Sequence, residues 1–266
     1  MRRIVGSLAL VLAVTACGGE VTTASGGGTA SASPAPPGSA SAAATTAPPA
    51  ETPAPLPTGP NVSGCFTEKD GVIFKHANDL PGVIMGKGPV GVVITYERRG
   101  SVCDWRPLSD RLVAAGYRVL LYNRDSSIFP EDGAVAMGKR LAKEKGVKRI
   151  FVVGGSIGAT TAVPAAERLV SEAKGVKVAG VVALSGEADT EKAAALTVPL
   201  LQIGSENDGY GGADSIQRID AAATKAPDKD KLIIPGESLH ASALFDSRYG
   251  QEVIEKIVTF MDRHKG

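Results

Sequence analysis

The sequence lacks several features that would indicate particular classes of function. Its 29 lysines and arginines nearly balance its 28 aspartates and glutamates, and no basic block is long enough to indicate a nucleic-acid partner. The apolar run over residues 4–14 is too short for a comfortable transmembrane helix. Only three histidines are present, so chemistry that needs an imidazole has few candidates. We therefore expect no nucleic-acid partner, no metal and no cofactor.

The first 17 residues have the parts of an export signal. Met1, Arg2 and Arg3 give a positive start, the apolar run follows, and small residues precede Cys17. A cysteine in this position resembles the lipobox of bacterial lipoproteins, which implies cleavage before Cys17 and attachment of lipid to its sulfur. The alternative is an ordinary secretory peptide with an incidental cysteine. The sequence therefore predicts an extracytoplasmic protein that is either lipid-anchored to the cell membrane or secreted.

The chain after this signal divides by composition into a tether and a domain. Residues 18–60 are almost entirely Gly, Ser, Thr, Ala and Pro, and they carry too little apolar surface to offset the entropy lost on ordering. We expect a disordered tether there. Residues 61–266 are long enough for one domain with a substantial core.

Two cysteines, Cys65 and Cys103, lie within the expected domain. Because an exported protein folds in an oxidising compartment, we expect them to form a disulfide. Two free buried thiols are the alternative, since cysteine also packs as a small hydrophobe.

Within the domain, short apolar runs alternate with amphipathic segments. A leading antiparallel pair of strands is expected over residues 72–75 and 82–85, followed by a series in which each strand is followed by a helix. Several of the later strands are apolar throughout, which is typical of strands covered on both faces. The pattern predicts an α/β domain with a mostly parallel sheet and helices on both faces. The predicted later strands are 90–96, 117–122, 150–153, 178–184, 199–204 and 231–234, and the predicted helices are 105–115, 131–145, 159–170, 213–223 and 249–263.

A G-x-S-x-G motif joins the strand at 150–153 to the helix at 159–170. It reads Gly154-Gly155-Ser156-Ile157-Gly158. In such a motif the serine occupies a sharp, strained turn that exposes its hydroxyl at the edge of the sheet, while the glycines allow close backbone approach. The alternative is a glycine-rich turn with a capping serine.

The order of elements resembles the α/β-hydrolase family over essentially the whole domain. Besides the G-x-S-x-G motif, the resemblance lies in residues 91–119, 199–210 and 236–241. The sequence departs from the family pattern at two places. Tyr96-Glu97 replaces the His-Gly that often follows the third strand, which is closer to dienelactone-hydrolase-like members, and residues 123–127 lack the usual glycine-rich run. The resemblance implies a serine esterase with the α/β-hydrolase fold.

Ser156 needs a base, because a serine hydroxyl is a weak nucleophile until a neighbour takes its proton. His240 follows the last predicted strand, at the end of the sheet where Ser156 emerges, so it is the expected base. His76 lies in a stretch that looks like surface, and His264 lies among charged residues of the last helix.

The base in turn needs a carboxylate to fix its tautomer. Asp208 occupies the position of the acid in the resembling family, and Ser156, Asp208 and His240 follow the expected chain order. The other candidates are Glu206, and also Glu187 or Asp189 after the preceding strand. Asp208 could instead be a turn residue that binds backbone donors.

Negative charge that develops on a carbonyl oxygen requires preorganised donors. The main-chain N–H of Ile157 is one expected donor, and that of Glu97 or Arg98 is the second. The side chain of Glu97 has two interpretations. It acts on the pocket, paired with an arginine such as Arg98, Arg99 or Arg124, or the cluster is a charged rim.

These expectations combine into a functional hypothesis. About 14 residues separate the strands at 178–184 and 199–204, so no large lid covers the pocket. We expect an extracytoplasmic serine hydrolase that cleaves a carboxylic ester of a small or envelope-linked molecule through an acyl-enzyme. Thioester or lactone substrates suit the same residues. The alternative from another class is a non-catalytic lipoprotein of hydrolase descent that binds a ligand or an envelope partner.

Overall fold

The computed structural model of the chain describes residues 58–266. The predicted signal peptide, the lipidated Cys17 and nearly all of the predicted tether lie outside the described residues, and they remain predictions. None of the helices within 58–266 is both long and apolar enough to cross a membrane.

The described residues form strands and helices that alternate along the chain. A small antiparallel pair comes first, made of β1 (Asn61–Val62) and β2 (Phe66–Thr67). The remaining strands are β3 (Gly71–Lys75), β4 (Pro81–Met85), β5 (Val90–Thr95), β6 (Arg118–Tyr122), β7 (Arg149–Gly155), β8 (Lys177–Leu184), β9 (Leu200–Ser205) and β10 (Lys229–Ile234). The α-helices are α1 (Arg106–Ala114), α2 (Pro130–Ala142), α3 (Ile157–Glu172), α4 (Thr190–Ala195), α5 (Ala213–Ala222) and α6 (Gly250–His264), and 3-10 turns occupy Ala77–Asp79, Val102–Trp105 and Ala241–Leu244.

Eight strands form one sheet in the order β10-β9-β8-β7-β5-β6-β4-β3. Only β4 runs against its neighbours β3 and β6, so the predicted mostly parallel sheet with a leading antiparallel pair is confirmed. Because the other strands are parallel, the loops after β5, β6, β7, β8, β9 and β10 all emerge at one edge. Every side chain expected to take part in chemistry lies in one of those loops.

Helices cover both faces of the sheet, as expected. Along β5, Val92 and Ile94 belong to the core cluster that includes α1 and α6, whereas Val93 packs in the cluster that includes α2. This alternation follows from the two-residue period of a strand. All three of these side chains are fully buried, which explains why the strand is apolar throughout.

Some elements differ from the sequence-based expectation. The helix expected over 131–145 ends at Ala142, because the chain turns before Gly146, which has a φ of +90°. The short strands β1 and β2 and the helix α4 were not expected, since two-residue strands and a six-residue helix show too little periodicity to be recognised.

The expected disulfide between Cys65 and Cys103 is confirmed, with its Cα atoms 5.7 Å apart. It joins the turn between β1 and β2 to the 3-10 turn Val102–Trp105, which leads into α1. The bond crosslinks the start of the domain to a segment 38 residues later.

A Cys65→Ser/Cys103→Ser double variant should be less stable than the wild type. A loop of this length loses enough entropy on closure to contribute roughly 3 to 4 kcal/mol to the free energy of unfolding. Urea unfolding followed by far-ultraviolet circular dichroism would measure the difference, with reduced wild-type protein as a second sample. An unchanged unfolding midpoint in both samples would contradict the expectation.

Candidate active site

Ser156 occupies the sharp turn between β7 and α3. Its φ of 55° and ψ of −121° are strained for a residue with a side chain. The backbone around it is fixed, because Ser156 N donates to Leu184 O at 2.9 Å and Thr160 N donates to Ser156 O at 2.9 Å. The turn has the strained geometry that the G-x-S-x-G motif predicts.

The three glycines around Ser156 have no space for a side chain. A Cβ atom on Gly154 would lie 2.2 Å from Gly158 O, and one on Gly158 would lie 2.1 Å from Thr95 O. A Cβ atom on Gly155 would lie 2.5 Å from Cζ2 of Trp105. The motif is therefore required by packing of the turn against β5 and against Trp105.

His240 and Asp208 are brought together by the loops after β10 and β9. His240 Nδ1 lies 2.8 Å from Asp208 Oδ2. Because a carboxylate only accepts hydrogen bonds, Nδ1 carries a proton, and in the neutral imidazole Nε2 then has the lone pair. The Asp208 side chain is 5% exposed and that of His240 is 37% exposed, so the pair is shielded on the carboxylate side and open on the imidazole side. Such an imidazole can act as a base.

The other acid candidates have different contacts. Glu206 accepts from Gly236 N at 2.7 Å, Glu187 forms an ion pair with Arg218, and Asp189 caps the start of α4. Asp208 also accepts from Tyr210 N at 3.1 Å, so it satisfies its turn as well as contacting His240. Of these four carboxylates, only Asp208 is hydrogen-bonded to His240 in the described part of the chain.

The Ser156 turn and the His240 loop are in contact. A Cβ atom on Gly155, just before Ser156, would lie 3.1 Å from Cβ of Ala241, just after His240. The loop is further fixed because Ala241 N donates to Ser185 Oγ at 2.9 Å. Within residues 58–266, no hydrogen bond joins Ser156 Oγ to the His240 ring. Before substrate binds, the hydrogen bond between a nucleophile and its base is often long. The observation that bears on catalysis is therefore the contact between the Ser156 turn and the His240 loop.

The expected donors for a carbonyl oxygen lie beside Ser156. Ile157 begins α3, so its main-chain N–H lies at the helix N-terminus, and β5 pairs with β7 up to Thr95 and Gly154. Beyond Thr95, Arg124 donates to Tyr96 O at 3.3 Å and to Arg98 O at 3.3 Å.

These two bonds orient the loop after β5. In a trans peptide, the carbonyl and the next N–H point in opposite directions. The contact between Arg124 and Tyr96 O therefore directs the N–H of Glu97 away from the guanidinium. Arg124 consequently fixes the orientation of one of the expected donors.

The side chain of Glu97 makes contacts that the sequence did not indicate. Within the described residues it forms no ion pair with Arg98, Arg99 or Arg124. Its carboxylate instead accepts from Trp105 Nε1 at 2.9 Å and from the hydroxyl of Ser242. Glu97 therefore ties the loop after β5 to the loop that carries His240.

Trp105 completes this connection. It is fully buried, packs edge-on against Phe245 with ring centres 5.3 Å apart, and lies against Gly155. The contacts of Glu97 and Trp105 thus join the Ser156 turn, the loop after β5 and the His240 loop. Sequence reasoning missed Trp105, Ser185 and Ser242, and the only available signal was that Trp105 is the single tryptophan of the chain.

No cluster of three or more metal-binding side chains occurs in the described part of the chain. The site consists of a hydroxyl, an imidazole, a carboxylate and main-chain donors. Those groups can carry out acyl transfer without another component.

Comparisons with known proteins identify the fold. No protein-family model matches the sequence, and no curated protein matches it. Several solved structures are similar to this chain. An esterase of Pyrococcus furiosus has a TM-score of 0.62 at 19% identity, covering 78% of this chain and 99% of its own. Est1E of Butyrivibrio proteoclasticus has a TM-score of 0.60 at 13% identity, covering 73% and 98%.

A monoacylglycerol lipase of Paleococcus ferrophilus is also similar. Its TM-score is 0.58 at 15% identity, with 70% of this chain and 99% of that chain covered. At these identities the likeness is one of fold. The chain therefore has the α/β-hydrolase fold, as its sequence pattern predicted.

Removal of the Glu97 carboxylate should destabilise the protein. In a Glu97→Ala variant, Trp105 Nε1 and Ser242 Oγ lose their acceptor, and we expect a loss of roughly 2 to 4 kcal/mol in the free energy of unfolding. The Glu97→Gln variant should lose less stability, because the amide oxygen of glutamine still accepts a hydrogen bond. Urea unfolding can be followed by the fluorescence of Trp105, and Glu68→Ala, at an exposed position, is the control. Equal stability of the Glu97→Ala and control variants would show that these contacts contribute little.

Proposed function

We propose that this chain is an extracytoplasmic serine hydrolase that cleaves a carboxylic ester through an acyl-enzyme. Ser156 is the nucleophile, His240 the general base and Asp208 the acid that orients the base. The observation that carries the proposal is the 2.8 Å contact between His240 Nδ1 and Asp208 Oδ2 in the loop that contacts the strained Ser156 turn.

The proposed reaction has two halves. Ser156 Oγ attacks the ester carbonyl while His240 Nε2 takes the hydroxyl proton, and Asp208 stabilises the imidazolium that forms. The negative oxygen of the tetrahedral intermediate accepts from the N–H of Ile157 and from that of Glu97 or Arg98. His240 then returns the proton to the leaving alcohol. In the second half, water attacks the acyl-enzyme with His240 again as the base, which releases the acid and restores Ser156.

An ester substrate is supported by the architecture of the fold. The segment between β8 and β9 holds only the short helix α4, so no large helical lid is built from it. A small soluble ester, or an ester group on a larger envelope molecule, suits such a site better than a long acyl chain. Two of the similar solved structures are described as an esterase and a monoacylglycerol lipase, which also favours an ester. Thioesters and lactones would use the same groups.

Loss of the nucleophile should abolish covalent labelling. A fluorophosphonate should label the wild type at Ser156, and Ser156→Ala should remove both the label and the hydrolysis of p-nitrophenyl butyrate. Asp208→Asn should lower kcat on the order of 10³ to 10⁴-fold, because the histidine loses its oriented tautomer. Mass spectrometry of the labelled peptide and steady-state kinetics provide the measurements.

The matched control is Ser171→Ala, an exposed serine on the same helix α3, which should keep full labelling. A folded wild-type protein that neither reacts with the fluorophosphonate nor cleaves esters would overturn the proposal. That result would favour the non-catalytic lipoprotein that binds a ligand or an envelope partner.

We further propose that a lipid on Cys17 anchors the protein outside the cytoplasm. The disulfide between Cys65 and Cys103 is typical of proteins that fold in oxidising compartments. Cys17→Ser should abolish incorporation of labelled palmitate and move the protein from the membrane fraction to the soluble fraction, because the lipid supplies the affinity for the bilayer. Labelling that persists in this variant would contradict the anchor.

A further inference from the structure

A cavity of about 610 Å³ lies at the edge of the sheet where β5 and β6 end. Its walls come from Arg98 in the loop after β5, and from Arg124 and residues 125–130 after β6. β5 is the neighbour of β7, which leads to Ser156. The cavity therefore lies beside the loop that supplies a proposed donor to the reacting carbonyl, and the proposed mechanism leaves it without a role.

The two arginines that line this cavity have no carboxylate partner within residues 58–266. In contrast, Arg111 and Arg168 form ion pairs with carboxylates. Arg98 is exposed, and Arg124 is held by main-chain oxygens and by the ring of Tyr96, whose centre lies 5.3 Å from the guanidinium carbon. Two of the five N–H donors of Arg124 are bonded to main-chain carbonyls, and the other three remain available. Guanidinium groups in this state favour a planar anion.

Asp125 also lines the cavity, but its carboxylate is already occupied. Ser127 donates to Oδ1 from its main-chain N at 2.8 Å and from its hydroxyl at 2.6 Å, and Asn78 donates to Oδ2 at 2.8 Å. The hydrogen bonds from Ser127 hold the pKa of Asp125 below its ordinary value, and the bond from the Ser127 hydroxyl contributes most. The Asp125 carboxylate thus bonds to Ser127 and Asn78 and forms no ion pair with Arg98 or Arg124 within residues 58–266. With two arginines and one aspartate, the cavity wall keeps a net charge of +1, which favours an added anion.

Part of the cavity wall is apolar and unusually exposed. Phe129 is 79% exposed and Ile128 is 40% exposed, although side chains of this size are usually buried. Both residues lie in the cavity wall. A ligand with a hydrocarbon part as well as an anionic group would cover this surface while its charge contacts the arginines.

From this arrangement we propose that the cavity is a substrate subsite for a carboxylate attached to a short hydrocarbon chain. The preferred substrate is then an ester whose acyl or alcohol part ends in a carboxylate. The inference rests on the proposed hydrolase function and narrows its substrate class. It also accounts for the departures from the usual family sequence at 96–97 and 123–127, because Arg124 and the residues that contact it lie there.

Two matched pairs of esters test the subsite. On the acyl side, monoethyl adipate is compared with ethyl hexanoate, and on the alcohol side, 6-acetoxyhexanoate is compared with hexyl acetate. We expect kcat/KM for the anionic member of at least one pair to exceed that of its neutral partner about tenfold at low salt. The preference for the anionic ester should shrink at about 0.5 M salt, because salt screens the interaction between exposed charges.

Matched variants assign the preference to one side chain. Arg98→Gln keeps the main-chain N–H of residue 98 and removes only the guanidinium, so it should lower the ratio of kcat/KM for the preferred anionic ester to kcat/KM for its neutral partner about tenfold. Arg99→Gln, at the adjacent exposed residue outside the cavity wall, should leave this ratio unchanged. Equal losses for charged and neutral esters in Arg98→Gln, or the same loss in Arg99→Gln, would overturn the subsite.

Failure of the subsite and failure of the hydrolase give different results. Hydrolysis of all four esters without preference overturns the subsite and leaves the hydrolase intact. If no ester is cleaved, the hydrolase fails, and ligand-observed NMR titration of monoethyl adipate and of 6-acetoxyhexanoate into the Ser156→Ala variant still decides the subsite. Binding that is weaker in the Ser156→Ala/Arg98→Gln double variant supports the subsite. Absence of binding, or binding that the Arg98→Gln substitution does not change, overturns the subsite.

Discussion

The candidate site depends on one carboxylate that lies between three loops. Glu97 accepts from Trp105 and from Ser242, while Trp105 packs against Gly155. The loops concerned follow β5, β7 and β10, and they have no covalent connection near the site. A shared acceptor in a buried setting is costly to leave unpaired, so each loop is fixed by the position of the others. Arg124 adds to this by holding the carbonyls of Tyr96 and Arg98, which orients the peptide between them.

The sequence predicted the sheet well because burial on both faces leaves a clear apolar signal. The runs around Val92 and Val152 are such strands, and the glycines around Ser156 identified the turn between β7 and α3. The resemblance to α/β-hydrolases implied that Asp208 pairs with His240, and parallel topology allows it because both loops emerge at one edge. The partners of Glu97 could not be predicted. Ser242 lies 145 residues away, and a glutamate followed by two arginines suggests an ion pair or a charged rim on composition alone.

The charges at the edge of the sheet are distributed unevenly. On one side of Ser156, Asp208 and its hydrogen bond to His240 place a shielded carboxylate behind the imidazole. On the other side, Arg98 and Arg124 face a cavity with an apolar wall at Phe129. The cavity lies where the sequence departs from the pattern common in α/β-hydrolases, whereas the Ser156 turn keeps that pattern. In this chain the departures from that pattern thus lie in loops that the sheet supports.

The crosslink between Cys65 and Cys103 lies two residues before Trp105 in the chain. Without this bond, the segment that presents the indole to Glu97 would be held by noncovalent packing alone. Under the proposed export, translocation into an oxidising environment would supply the bond. The rigidity of the candidate site would then depend on arrival at the destination, and a precursor retained in a reducing cytosol would have a less rigid site than the exported protein.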